Sequence, residues 1–314
     1  MSICKAYDVA HVRFRVPDIA VMRRFLNDFG MIEADATADR LYMRGHGGAP
    51  FLHVCELGEK AAFVGFGIRL RSIEDLESLA EQEGAPIEEL DGPGGGKVVR
   101  LNDPDGNVVE AIAGQIFTDP IPGPLHQPWN QGGSYPRQGK VRRVPKGASH
   151  VQRLGHVVLG VGDFRTSEAW YKDRFGFITS DEIQPAPDVA IGAFMRADRG
   201  EEPCDHHTLF LLKRPVPPGF MHAAYEVIDM DDLMAGHDHL QKQGYRPHWG
   251  IGRHHLGSQV FDYWLDPYGN EIEHWTDGDQ LVTADGGGIA SVGQLVGVQW
   301  GMEMPSLPDA DGTY

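Results

Sequence analysis

The chain has 314 residues, enough for two domains of ordinary size, each able to bury a core. Hydrophobic residues make up 41% and charged ones 23%, the balance of a globular rather than a disordered chain, and no apolar run approaches the roughly 20 residues that span a bilayer. A net charge of −17 gives a field that repels phosphate backbones and acidic lipid, which argues against nucleic-acid and membrane partners.

Taken in order, the chain repeats one unit four times: a short apolar strand, a polar turn, an amphipathic helix and a glycine. The units are HVRFRVPDIAVMRRFLNDFG (11–30), FGIRLRSIEDLESLAEQEG (66–84), HVVLGVGDFRTSEAWYKDRFG (156–176) and AAYEVIDMDDLMAGHDHLQKQG (223–244). Asp18, Ser72 and Asp229 are expected to cap or turn into the helices, and Gly30, Gly84, Gly176 and Gly244 to end them in the left-handed conformation. Further strands are expected after each helix. They are RLYMRG (40–45), FLHVCEL (51–57), KVVRL (97–101) and VVEAI (108–112), then AIGAFMRA (190–197), HTLFLLK (207–213), SQVFDYWL (258–265) and EIEHW (271–275). A strand, a helix and then several strands suit α+β modules with a helix packed on a curved sheet, not a doubly wound parallel sheet.

Two corners match, LNDPDGNVVEAI (101–112) and WLDPYGNEIEHW (264–275). Their Asp-Pro-x-Gly-Asn cores are tight turns, and each places a Glu on the outgoing strand. Residues 115–150 are rich in Pro and Gly and read as a connection too long to be without packing of its own. The expected organisation is therefore an N-terminal structural domain (1–114), a linker (115–150), a C-terminal metal-binding catalytic domain (151–278) and a tail (279–314). The apolar stretch LVGVQWGM (295–302) in that tail is expected to lie on a surface or a neighbouring subunit. Three scattered cysteines form no disulfide framework, and the N-terminus has no apolar signal segment, so a cytoplasmic setting is expected.

The halves differ in one respect that bears on chemistry. At matching places the second offers His156, His222 and Glu273, and the first offers His11, Gly65 and Glu110. Two His and one carboxylate are the smallest protein set that holds an octahedral metal with three open positions, the facial triad suited to non-haem Fe(II) oxygen chemistry. Any one histidine out of fifteen is more simply a hydrogen-bonded structural residue. Two histidines and a glutamate at module-equivalent positions are not.

With a His in LGHVVL, another in FMHAAYEV and a Glu in DPYGNEIE, the chain resembles the type I extradiol ring-cleaving dioxygenases of the vicinal oxygen chelate superfamily over nearly its whole length. The resemblance implies two domains of two βαβββ modules each, with the metal in the C-terminal one. The segment GRHHLGSQVFDYW (252–264) resembles the family's GRH…Y stretch, which implies that His254 and Tyr263 hold the substrate oxygens. In CDHHTLFL (204–211), His207 is the better match to the acid–base histidine, with His206 as competitor. His248 and His255 are candidate contacts to ring substituents. Trp249, Phe261, Trp264, Trp275 and Phe194 line or back a pocket, most of them as core.

The implied activity is O2-dependent cleavage of a substituted or polyhydroxylated single-ring catechol beside its diol, as in aromatic hydrocarbon catabolism. Fe(II) is the implied cofactor, with Mn(II) the alternative on the same ligands. The expected partners are the diol and O2, in a homo-oligomer. Two other readings stay open: a metal-dependent isomerase or lyase of the glyoxalase type, and a metal-free binding protein.

Overall fold

The computed structural model describes residues 2–124, 127–214 and 217–305. The N-terminal half contains β1 (Ala6–Val16), α1 (Ile19–Asp28), β2 (Ile32–Ala36), β3 (Arg40–Arg44), β4 (His53–Leu57) and β5 (Ala62–Leu70). It continues with α2 (Ile73–Glu83), β6 (Glu88–Glu89), β7 (Lys97–Asn102) and β8 (Val108–Ala113). The C-terminal half contains β9 (Arg153–Val161), α3 (Phe164–Phe175), β10 (Ile178–Ile183), β11 (Gly192–Arg196), β12 (Cys204–Asp205) and β13 (Leu209–Lys213). Then come β14 (Gly219–Glu226), α4 (Met230–Gln243), β15 (Arg246–His254), β16 (Val260–Leu265) and β17 (Glu271–Thr276). The tail adds β18 (Gln280–Leu281), β19 (Gly288–Ala290), α5 (Val292–Val296) and β20 (Val298–Gly301). No described helix is long and apolar enough to cross a membrane.

The strands form an eight-stranded sheet, β2-β3-β4-β1-β5-β8-β7-β6, a ten-stranded one, β19-β10-β11-β13-β9-β14-β17-β16-β15-β20, and a two-stranded one, β12-β18. Each of the two large sheets is two βαβββ modules joined along their first strands, β1 against β5 and β9 against β14, both antiparallel. Within every module the last strand lies parallel to the first, as the helical crossover requires. The fold is α+β in two domains, as the repeat predicts.

Local chemistry explains the helix boundaries. Asp18 accepts from the amides of Ala20 and Val21, Ser72 from Asp75, and Asp229 from Asp232. Asp163, which the sequence reading did not single out, caps α3 through the Thr166 amide. Gly84, Gly176 and Gly244 end their helices at φ of 62°, 66° and 81°. α1 reaches its last right-handed residue at Phe29, and Gly30 follows at φ 104°, where a Cβ would also lie 2.1 Å from the Ser149 carbonyl oxygen. At both corners the Asp carboxylate (Asp103, Asp266) accepts the amides two and four residues on, while Gly106 and Gly269 take φ of 89° and 85°.

One continuous apolar core runs through both large sheets, from Phe14 and Phe25 to Tyr225 and Trp264. The halves are also pinned by polar contacts. Phe29 stacks on His274, whose Nε2 donates to the Phe29 carbonyl at 2.7 Å, and the Tyr171 hydroxyl donates to Asp103 at 2.9 Å. The connection at 115–150 has no helix or named strand among its described residues, yet it packs. Thr118 and Ile121 donate backbone bonds to Gly48 and His46, and Arg142 pairs with Asp229 and Asp231. All three cysteines are buried and free.

Candidate metal centre

β9 alternates. Past a bulge at Gly155, Val157, Leu159 and Val161 enter the core with Leu154 before it, so His156 and Val158 face the other way, into a cavity of about 300 Å³. β14 and β17 repeat the device: Ala223, Tyr225 and Ile272 point to the core, and His222, Glu271 and Glu273 to the cavity side. Three strands thereby bring His156, His222 and Glu273 together, with one ligand atom from each within 4.8 Å of the others. Both imidazole Nε2 atoms lie 3.4 Å from Glu273 Oε2.

The donor set fits a metal. Glu273 is fully buried and neither of its oxygens has a hydrogen-bond partner, nor has His222 Nε2. A buried carboxylate without donors is costly, and a cation between it and two imidazoles removes the cost. Burial alone would raise the Glu273 carboxyl, but His156, His254 and His222 around it hold it below the ordinary carboxylate range. Burial, opposed by the Glu273 charge, brings His222 down to about 4, so at neutral pH it is the uncharged imidazole that can donate a lone pair.

His207 lines the cavity, its ring 4.0 Å from that of His156. His206 is also buried and points away from the cavity, its Nε2 2.8 Å from Asp181 and its Nδ1 3.2 Å from His207 Nδ1. The contact between the two Nδ1 atoms ties His207 to His206 and leaves His207 Nε2 for the cavity. Burial, reinforced by the neighbouring imidazoles, holds His207 well below the usual histidine range.

Tyr263 on β16 is the register partner of Glu273, and its hydroxyl stands 3.1 Å from His254 Nε2. Burial and the charges of Glu273 and Glu271 raise its phenol well above normal, so it remains a donor. His248 lines the cavity and lies 3.1 Å from Glu271. His255 is exposed and is not part of the cavity wall. Among the aromatics, Trp249 and Phe194 line the cavity. Phe261 packs between Trp249 and Tyr263, Trp264 is in the main core, and Trp275 is buried behind His156.

Several wall residues escaped the sequence reading. Gln259, inside the quoted SQVFDYW segment, is buried with its Oε1 unpartnered. The tail supplies Leu295, Val296, Met304 and Pro305. Its apolar stretch was legible, but not that it covers this cavity; residues 306–314 lie outside the described residues. A wider hollow of about 670 Å³ around Asp28, Tyr245 and Asp266 has no metal-type triad.

The N-terminal half holds the counterpart. His11, Gly65 and Glu110 occupy the register positions of His156, His222 and Glu273. Arg13 fills the place of a cation there. Its guanidinium lies 2.9 Å from Glu110 and 2.6 Å from Glu56, while His11 and Arg100 also bond Glu110 at 2.7 and 2.8 Å.

The profile of the Glyoxalase/Bleomycin resistance protein/Dioxygenase superfamily matches residues 153–274. The chain is 30% identical to "Metapyrocatechase 2" of Cupriavidus necator, over 95% of this chain and 90% of that one. It is 27% identical to the "Iron-dependent extradiol dioxygenase" of Rhodococcus jostii (strain RHA1), over 87% and 90% of the two chains. Its fold matches the Mn(II)-bound glyoxalase of Novosphingobium aromaticivorans with a TM-score of 0.78 at 21% identity, covering 97% and 95%.

Proposed function

We propose, from the premise that this chain belongs to the extradiol dioxygenases of the glyoxalase/bleomycin resistance protein/dioxygenase superfamily, that it uses O2 to open the ring of a catechol-type diol beside the two hydroxyls. His156, His222 and Glu273 are its metal ligands, and the unit 151–278 is catalytic while 1–114 is structural. The observation that carries this reading is the convergence of two imidazoles on a buried carboxylate that no donor satisfies. Fe(II) is the proposed metal; Mn(II) accepts the same ligands.

When bound, such a metal supplies a charge that acidifies a diol hydroxyl and a centre where diol and O2 meet. The chain's own groups do the rest. Tyr263 Oη and His254 Nε2, adjacent at the rim of the triad, hold one diol oxygen by a donated and an accepted hydrogen bond. His207 Nε2, on the His156 side, takes up a proton and returns it to the oxygen that develops charge. Phe194, Trp249, Leu256 and Met304 keep bulk water from the reacting ring. Exposed Ile289, Trp300 and Met302 on the tail support assembly with a second copy.

The test is anaerobic reconstitution with Fe(II), followed by O2 uptake and near-ultraviolet absorbance with catechols, methylcatechols and trihydroxybenzenes. Stoichiometric O2 consumption with a new ring-opened chromophore is expected. Tight metal binding with no O2 uptake on any diol overturns the reading in favour of an isomerase or lyase.

A further inference from the structure

Within the cavity wall, one strong cation stands apart from the triad. Arg214 follows β13 and lines the same cavity as His156 and His222. Its side chain runs across Gly160, where an added Cβ would lie 2.7 Å from Arg214 Cδ. Gly160 is on the same face of β9 as His156 and Val158, so the missing side chain leaves a groove in the wall that the arginine stem occupies. Four residues separate Gly160 from His156, about 13 Å of extended strand. The wall between is apolar: Val158, Phe210, Leu212 and Phe220. The guanidinium has no hydrogen-bonded or ionic partner among the described residues. The one carboxylate of the wall besides the triad's, Glu271, is engaged by His248 at 3.1 Å.

A cavity with a metal site at one end, an apolar middle and an unpaired guanidinium at the other is complementary to a molecule of the same polarity. We infer that Arg214 reads an anionic group on the ring substituent of the substrate, so that the natural diol is a catechol carrying a carboxylate-type side chain. The inference rests on the dioxygenase reading for the diol end only. Guanidinium suits the task because its planar fork binds a carboxylate bidentately and stays charged at every working pH. In a chain of net charge −17, a local cation is also what lets an anionic ligand enter.

The experiment uses the Fe(II)-loaded protein without oxygen and measures dissociation constants by titration calorimetry. The ligands are 3-(2,3-dihydroxyphenyl)propionate and 3-(3,4-dihydroxyphenyl)propionate, against the neutral 3- and 4-propylcatechols. At least one carboxylated diol is expected to bind at least tenfold tighter than its neutral counterpart. Arg214→Gln should erase that ratio, and Arg214→Lys should keep part of it. A ratio near one in the unaltered protein, or the same ratio in Arg214→Gln, overturns the inference. Admitting oxygen afterwards tests the other reading separately: if no diol consumes O2, the dioxygenase assignment fails whatever the binding ratio shows.

Discussion

Glu273 and Glu110 sit at equivalent register positions, and their companions decide what each does. Around Glu273 are imidazoles without hydrogen bonds to it; around Glu110 are two guanidinium groups and a bonded imidazole. His222→Ala should therefore cost metal affinity more than the roughly 10- to 100-fold that loss of a mere supporting partner costs. Metal analysis after gel filtration checks this, with circular dichroism to show the fold intact; retained metal and turnover would remove His222 from the triad. Tyr263→Phe removes a donor from the diol oxygen and leaves the ligands untouched. Turnover should fall about 100-fold or more with metal content unchanged. Glu110→Ala should behave the other way: normal metal content, but a loss of roughly 3 kcal/mol in denaturant unfolding because Arg13 and His11 lose their buried partner and Arg13 keeps only Glu56.

At the scale of elements, the strand is the positioning device. A period of two sends one residue to the core and the next to the cavity, so His156, His222 and Glu273 are aimed by the apolar residues beside them. The tail is built differently. β20 pairs with β15, the Trp249 indole donates to the Met302 carbonyl at 2.9 Å, and Gln299 donates to the His254 carbonyl at 2.9 Å. These bonds place Leu295, Val296 and Met304 over the substrate space. Truncation after Ala290 should leave the triad loaded and raise KM about tenfold, the equivalent of the roughly 1–2 kcal/mol from burying one or two aliphatic side chains. Steady-state kinetics against metal content separates this from a folding defect.

On the scale of the whole molecule, the two large sheets share a core. His53 of β4 is fully buried at the junction, its Nδ1 2.8 Å from the Tyr225 hydroxyl of β14. Burial, with a smaller contribution from His11, brings its imidazole down to about 3. The unfolded chain, with an ordinary histidine near 6.5, thus binds the proton first. Stability from this site is complete above about pH 6.5 and is lost progressively as pH falls toward 3. His53→Gln should flatten the decline of unfolding free energy between pH 6.5 and 4 by up to about 1.4 kcal/mol per pH unit. An unchanged slope would mean that His53 is not a proton-linked element of the junction.

The chain by itself determined the repeat, the capped helices, the two Asp-Pro-x-Gly-Asn corners and the identity of three ligand-type residues. All of these are local, written in periodicity, cap chemistry and turn residues that neighbouring positions enforce. The strands β2, β10 and β15 were less legible, because partly exposed strands such as Ile32–Ala36 carry little apolar signal. Only tertiary structure decided which histidines share a cavity. It turned His206 to Asp181, put His207 against His156, left His255 in solvent, and drew Gln259, Arg214 and the tail into the wall. Those placements depend on strand register and on packing between segments distant in the chain, which no local pattern encodes. For the same reason the contact of Gly30 with Ser149 was hidden: Gly30 follows α1 at positive φ, but the carbonyl that leaves no room for a Cβ comes from the connection between the halves.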